Sequence, residues 1–496
     1  MKIFALEKIR EADKITILRQ GITSYDLMER AANEAFLWIK TANPDKETAF
    51  HVFCGGGNNG GDGLIIARLL YEDGYEVQIH QIEGVKTSED YKTALQNAVD
   101  KDVKVTNSLK IEYEGDKTII IDALFGTGLS REPEGKYLEV IELINNCGLT
   151  IISIDIPSGL FLDKPTTVAV KSNIVLTFQC PKFAFYLSSN YDFVNTVEVL
   201  DIGLDKEFIS KENSDIIFVN KKDANTRYKH VPYYAHKGTM GHALIVGGSY
   251  GKIGAITLSA KAALKAGSGL VTSYIPECGY NILQTALPEA MVITNGEKYI
   301  SQISFEIKPT AIGIGPGLGL NEETQHAFHD LLQLQTAPMV IDADALNILS
   351  ANKEWLKDVP ENSVLTPHPK ELQRLIGDWQ DDFEKMEMVK AFSKQYKLVM
   401  VLKNARTMVV YEDKVYVNST GNSALATGGS GDVLTGIITG LIGQGYSTVD
   451  AAVFGVYLHG LTADIGAAEI SKQAFTASSI IDYLGKAFLQ VESECL

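Results

Sequence analysis

The feature that most constrains this chain is a rhythm. Short apolar, β-branched runs, many of them ending on glycine or aspartate, alternate with stretches of helical spacing. The runs lie at 49–54, 77–79, 118–126 (TIIIDALFG) and 150–159 (TIISIDIPSG). The rhythm resumes at 242–248, 269–275, 311–319, 338–346, 363–372 and 397–403. Such alternation predicts parallel strands joined by crossover helices. Open sheets of this kind bind ligands at the carboxyl ends of their strands, where these glycines and aspartates fall. The charged stretch from about 204 to 228 breaks the rhythm. It places a domain boundary near residue 220, giving two α/β domains, 1–220 and 221–496. Helical spacing through Leu27, Ala31, Ala35 and Trp38 predicts an early helix capped at Thr23-Ser24. Two or three helices, beginning at Gly431, are expected to close the chain.

Composition excludes several classes. The 496 residues carry 45 Lys+Arg against 62 Asp+Glu, a formal charge of −17. No cation excess is available for nucleic acid or an anionic membrane. Cys54, Cys147, Cys180, Cys278 and Cys495 are odd in number, widely spaced and free of C-x-x-C. That argues against a disulfide framework or a zinc site and predicts a reducing cytoplasm. Charges interrupt the apolar residues of MKIFALEKIREADKIT, so no signal peptide is expected. The uncharged stretch 433–449 holds four glycines and reads as a buried helix and loop, not a membrane span.

Two glycine clusters carry chemistry. GGGNNGGDG (55–63) lies between a strand and a helix. Glycines let backbone N–H groups converge on an anion, and the helix start adds partial positive charge. No G-K-[ST] follows, so it is not a Walker A loop. A tight βα turn remains the plainer reading, although Asn58, Asn59 and Asp62 add polar groups a turn does not need. Asp122 ends TIIID and Asp155 ends IISID, and either alone reads equally as a helix cap. GGSGDVLTG (428–436) places Gly431 and Asp432 at a helix start. A carboxylate beside free N–H groups suits phosphoryl transfer to a hydroxyl; a capped helix start is the alternative. His368, between Pro367 and Pro369, reads equally as a turn residue. Lys403 is a strand-end lysine or, with Arg406, a phosphate clamp. Asp344 is expected to cap the helix after it.

In this order, NNGGDG, D-x-L-F-G-T-G-L and D-I-P-S-G resemble the NAD(P)H-hydrate epimerase domain over about residues 1–220. The resemblance implies a Rossmann-like three-layer α/β/α fold. It implies substrate contacts from Asn58, Asn59, Gly60, Gly61 and Asp62, and from Asp155. Gly126, Thr127, Gly128, Leu129, Ser130, Arg131 and Glu132 join them. Potassium ligands are implied at Asn59, Asp122 and Ser158, an oxygen set that suits a hard cation. Asp155 is expected to act as general acid, then base, in exchanging the hydroxyl of the hydrate.

G-x-G-D at a late helix start resembles the ribokinase-like superfamily, again a three-layer α/β/α fold. GGSYGKIGA (247–255), GPGLG (315–319), D-A-D-A-L (342–346), T-P-H-P-K-E (366–371) and KNART (403–407) resemble its NAD(P)H-hydrate dehydratase branch over about 225–496. Hydrate contacts are implied for Ala255, Gly317, His368 and Asp432, with Asp432 as catalytic base. Nucleotide contacts are implied for Lys403, Asn404, Ala405, Arg406, Thr407 and Gly431. Asn404 departs from the small residue usual after that lysine. ADP is the implied co-substrate, with Mg2+ on its phosphates. The implied partners are thus hydrates of NADH and NADPH and ADP, with no nucleic acid and no membrane, in a homo-oligomer. Two other readings stay open on the residues: a small-molecule kinase, and a non-catalytic binding module in the N-terminal half.

Overall fold

The computed structural model describes residues 1–82, 87–111 and 117–493. Cys495 lies outside them. The chain divides into two compact units. One is Lys2–Ser214 with Asp381–Phe383; the other is Asp215–Gln380, the residues from Glu384 onward, and Met1.

The first unit holds a parallel sheet. Its strands run in the order Lys104–Thr106, Glu76–Gln81, Ala49–Cys54, Thr118–Ala123, Thr150–Ile154, Ser172–Phe178, Val194–Leu200. Period-two alternation assigns side chains to opposite faces. Val52, Cys54, Ile119, Ile121 and Ala123 pack with Met28 and Ala32 of helix Ser24–Ala42, Leu64 and Ile66 of helix Asn58–Glu72, and Tyr91 of helix Glu89–Val99. Phe53 and Ile120 face the other way, onto Val140, Ile141 and Ile144 of helix Lys136–Asn146. The unit is therefore three layers, helices on both faces. Thr23 caps helix Ser24–Ala42 in a reciprocal box with Asp26.

Ala49–Cys54 is the pivot of the sheet. Later strands add on one side through Glu76–Gln81 and on the other through Thr118–Ala123. Where the winding reverses, the loops after two neighbouring strands splay apart and leave a crevice. Those loops carry the glycine cluster at 55–57 and residues 124–131.

The second unit repeats the logic. Its strands follow the order Ile216–Val219, Lys414–Asn418, Met408–Tyr411, Val399–Leu402, Val364–Leu365, Met339–Ile341, Ala311–Ile314, His242–Val246, Leu270–Ile275, Met291–Thr294. Strands from Val399–Leu402 to Met291–Thr294 are mutually parallel; Met408–Tyr411 is antiparallel to both its neighbours. The central strands are buried along nearly their whole length, as a sheet covered on both faces requires. The reversal lies between His242–Val246 and Ala311–Ile314.

Helices Ser430–Gly443, Thr448–Ile470 and Ala477–Glu492 close the chain. Helix Thr448–Ile470 is long and apolar enough to cross a membrane, but 78% of its most apolar window is buried inside the protein. Core packing thus explains its hydrophobicity. One expectation is corrected. Asp344 does not cap helix Ala343–Ala351; Asp342 occupies the cap position, and Asp344 lies inside the first turn. Its carboxylate instead accepts from Gly319 N–H at 2.9 Å and pairs with Lys252 at 3.2 Å.

Candidate active sites

In the first unit, a cavity of about 640 Å³ opens at the reversal point. Its wall includes Asn58, Asn59, Asp62, Asp155 and every residue from Gly126 to Arg131. Gly60, Gly61 and Glu132 are not on that wall. A Cβ on Gly60 would stand 1.7 Å from the Gly55 carbonyl oxygen, and one on Gly55 would stand 2.0 Å from that of Leu124. These glycines therefore let backbones touch. A Gly61 Cβ would meet the Met28 sulfur at 2.6 Å. Glu132 accepts from Thr167 Oγ1 at 2.7 Å, bracing the 126–131 loop from outside.

Asp122 is fully buried and braces the floor. It accepts from Ser158 Oγ at 2.5 Å, Ser158 N–H at 2.9 Å and Ser153 Oγ at 2.8 Å. Burial pushes its carboxyl above the ordinary range; the hydrogen bonds from Ser158 and Ser153 pull it part of the way back. Ser158 Oγ in turn accepts from Phe125 N–H at 2.9 Å and lies 3.3 Å from the Phe125 carbonyl. Asn59 is buried, and neither its amide oxygen nor its amide nitrogen has a hydrogen-bond partner. A buried amide left bare costs about 1–3 kcal/mol, which points to a ligand. Oxygens of Asn59, Asp122 and Ser158 fit a large hard cation such as potassium.

Asp155 follows its strand with φ +62, a conformation unusual outside glycine. Its N–H donates to Leu176 O at 2.7 Å. Its carboxylate receives the ammonium of Lys182 at 2.7 Å. Lys182 is 2% exposed and also donates to Thr177 Oγ1 and the Phe178 carbonyl. Burial, and then the charges of Asp155 and Asp13, push the Asp62 carboxyl well up. Asp13, from helix Leu6–Gln20, also lines the cavity. Burial and then the charge of Asp155, against the opposing pull of Lys182, bring its pKa to about 6. Asp13 and Lys182 carry no sequence motif; each is one polar residue in an ordinary helix or loop.

In the second unit, parallel strand ends bring the remaining motifs to one edge. Gly248 N–H donates to Pro316 O at 2.9 Å, and Ser249 Oγ to Gly317 O at 2.8 Å. Gly317 has φ +62, and a Cβ there would stand 3.3 Å from that of Ala255. The two motif loops thus form one wall. Asp342 is buried at the end of Met339–Ile341, receiving Lys403 Nζ and Thr435 Oγ1, each at 2.7 Å. Burial, the largest single influence, would raise its carboxyl, but the Lys403 charge and the hydrogen bonds from Lys403 and Thr435 act together against it, and the pKa lies below the ordinary value.

Helix Ser430–Gly443 starts against this pair. A Cβ on Gly431 would stand 3.4 Å from Lys403 Nζ and 3.7 Å from Asp342 Oδ2. Bare glycine therefore opens the helix start to an anion beside a lysine. Asp432 sits in the first turn, pushed up to about 6 by burial and then by the Asp342 charge, against the pull of Lys403. His459, another residue without a motif, is buried with Nε2 at 3.0 Å from Ser430 O. Burial brings its pKa down to about 4, so it is a neutral support for that turn.

His368 caps helix Pro369–Ile376. Its Nδ1 accepts from the N–H groups of Lys370 and Glu371, while Glu371 bonds back to the His368 N–H at 2.9 Å. Its ring is nevertheless half exposed, with Nε2 at 3.3 Å from Glu371. Residues 403–407 turn between antiparallel strands. Asn404 Oδ1 accepts from Ala405 N–H at 2.8 Å, Thr407 Oγ1 donates to the Asn404 carbonyl, and Arg406 donates to Ser419 O at 2.9 Å.

Residues 243–486 match the family model described as NAD(P)H-hydrate dehydratase, and residues 24–184 match the YjeF-related protein N-terminus. The chain is similar to the bifunctional NAD(P)H-hydrate repair enzyme Nnr of Moorella thermoacetica, 33% identical over 89% of this chain and 88% of that one. It is 34% identical to the Nnr of Dictyoglomus turgidum over 99% of both chains. Among solved structures, the ADP/ATP-dependent NAD(P)H-hydrate dehydratase of Bacillus subtilis, co-crystallised with ATP/Mg2+, is 31% identical with a TM-score of 0.49. That comparison covers 56% of this chain and 99% of the other. With about a third of its residues shared along nearly its whole length, the chain belongs to the bifunctional NAD(P)H-hydrate repair enzyme family.

Proposed function

We propose that residues 1–220 epimerise the R and S hydrates of NADH and NADPH, and that residues 221–496 dehydrate the S form at the expense of ADP. The observation that carries this is common to both units: a carboxylate stands beside a glycine-opened helix start at the carboxyl ends of a parallel sheet. One domain disposes of the wrong epimer, and the other restores the dinucleotide.

In the dehydratase, Asp432 takes the proton of the substrate hydroxyl as that oxygen attacks the terminal phosphoryl of the nucleotide. The helix N–H groups and Lys403 meet the charge on the transferring group. The oxygen then leaves as phosphate, expelled by the lone pair of the ring nitrogen, and a proton lost from the neighbouring carbon restores the dihydronicotinamide. Ala255, Gly317 and His368 are assigned to the hydrate, and Lys403, Asn404, Ala405, Arg406, Thr407 and Gly431 to the nucleotide. Mg2+ supplies charge neutralisation on the nucleotide phosphates. It keeps most of its waters and needs no protein cage, and the described residues offer no cluster of three His, Cys, Asp or Glu ligands.

In the epimerase, loss of the hydroxyl gives an iminium ion, and water returns on either face. Asp155 acts in proton transfer. Asn58, Asn59, Asp62 and the residues 126–131 hold the dinucleotide. Asn59, Asp122 and Ser158 would hold potassium, which would supply fixed positive charge to the site. We place the reaction in the cytoplasm, on the free state of Cys54, Cys147, Cys180 and Cys278, and assign a homo-oligomer.

The test incubates mixed R and S NADH hydrates with the protein, Mg2+, K+ and either ADP or ATP. Return of dihydronicotinamide absorbance and the residual epimers are followed by chromatography. Full consumption of both epimers with ADP is expected. Consumption of S alone would remove the epimerase assignment. A stable phosphorylated product without dinucleotide recovery would turn the second unit into a kinase.

A further inference from the structure

Epimerisation moves a hydroxyl from one face of the ring to the other. The leaving oxygen needs a proton on the first face, and the incoming water must lose one on the second. One carboxylate reaches one face. Asp155 is built as the acceptor: its carboxylate is ion-paired with Lys182, at 2.7 Å, and Lys182 is itself nearly fully buried. The hydroxyl still requires a donor.

From a different element, helix Leu6–Gln20, Asp13 reaches the same cavity wall. Among the described residues no hydrogen bond or ion pair engages its carboxylate, and it is half buried. The charged and titratable groups around it are Arg10, Asp62, Arg131, Asp155, Cys180 and Lys182. Three carboxyls thus share the cavity with one buried ammonium, and that ammonium is committed to Asp155. A proton therefore rests on the unpartnered carboxyls. Asp62 is the more deeply buried of the two, and Asp13 the more accessible to a ligand.

We infer that Asp13 is a further catalytic residue, the proton donor to the hydroxyl opposite Asp155. The inference rests on the epimerase reading of this cavity. Asp13 gives its proton to the hydroxyl, and the C–O bond breaks with its electron pair leaving on water. The ring-nitrogen lone pair forms the C=N bond of the iminium ion. Water attacks the same carbon from the other face, the C=N pair returns to nitrogen, and the surplus proton passes to Asp155. The two carboxyls exchange protonation, and solvent resets them. A pKa of about 6 keeps part of Asp13 protonated near neutrality.

The experiment measures enzymatic R/S exchange, net of the spontaneous rate, from pH 5 to 9 on the full chain with NADH hydrates. Wild type, Asp13→Asn, Asp13→Glu and Asp62→Asn are compared, with melting curves for folding. Asp13→Asn is expected to lower kcat by about 10²–10⁴-fold, to leave KM within threefold, and to lose the fall in rate above pH 6. Asp13→Glu, which keeps the acid, is expected to recover at least a tenth of the rate. Exchange by Asp13→Asn within threefold of wild type overturns the inference. So does an unchanged pH profile, a loss confined to Asp62→Asn, or a well-folded Asp13→Glu without recovery. Absence of exchange in wild type strikes the epimerase reading itself.

Discussion

At the residue scale, the second unit separates two acids that the sequence presents alike. Asp342 and Asp432 both follow glycine or strand ends, yet Lys403 is bonded to one and only near the other. Asp342 is thereby a fixed anion that holds Lys403, and Asp432 is free to take a proton. Asp432→Asn is expected to abolish dehydration while epimerisation continues. It is also expected to stabilise the fold. A carboxyl whose folded pKa is about 6, against 3.8 unfolded, opposes folding above pH 6. The penalty is about 3 kcal/mol at most. As pH falls from 6 towards 4 the unfolded chain also gains its proton and the penalty disappears. Melting of Asp432→Asn should therefore exceed wild type at pH 7.5 and coincide with it near pH 4. A higher wild-type melting temperature at pH 7.5 would show that the carboxylate is paired in the fold.

At the element scale, the start of helix Asn58–Glu72 depends on backbone contact. Gly60 packs on the Gly55 carbonyl, and Gly55 on that of Leu124, so the helix start, its own turn and the neighbouring loop move as one body. Gly60→Ala forces that stack apart. The first helical turn, which bears Asn59, shifts, and epimerisation is expected to fall at least tenfold while dehydration of S hydrate stays within twofold. Parallel assays on one preparation check this; equal loss of both activities would mean global unfolding. The glycine cluster was legible in sequence as a βα turn, but only residues 55–57 form it; residues 58–63 are already the first turns of helix Asn58–Glu72. The cluster's division of labour was not legible, because contact between backbones distant in sequence leaves no pattern along the chain. The edge strands were also illegible. Val194–Leu200, for example, is fully buried only at Val194, exposes Asn195 and Thr196 and carries Glu198, so it lacks the continuous apolar run of a central strand.

At the scale of the whole molecule, the two groups of candidate residues lie in two separate units, each at the carboxyl ends of a parallel sheet. Asp155→Asn chains should consume only S hydrate, and Asp432→Asn chains should only exchange epimers. A mixture of the two variants is expected to clear both epimers with ADP, because a freely diffusing substrate can visit one site on each chain. Failure of the mixture, with each single activity intact, would mean that substrate passes only within one chain. The sequence by itself determined the α/β class, the glycine-opened helix starts and the aspartates at strand ends, because β-branched runs and glycine conformations are set by local sterics. The tertiary structure alone decided which strands are neighbours, and so where the sheets reverse. It alone put Lys182 on Asp155, Lys403 on Asp342, and Asp13 in one cavity with Asp62 and Asp155. Charges far apart in sequence acquire partners, and hence proton affinities, only when folding removes the water between them.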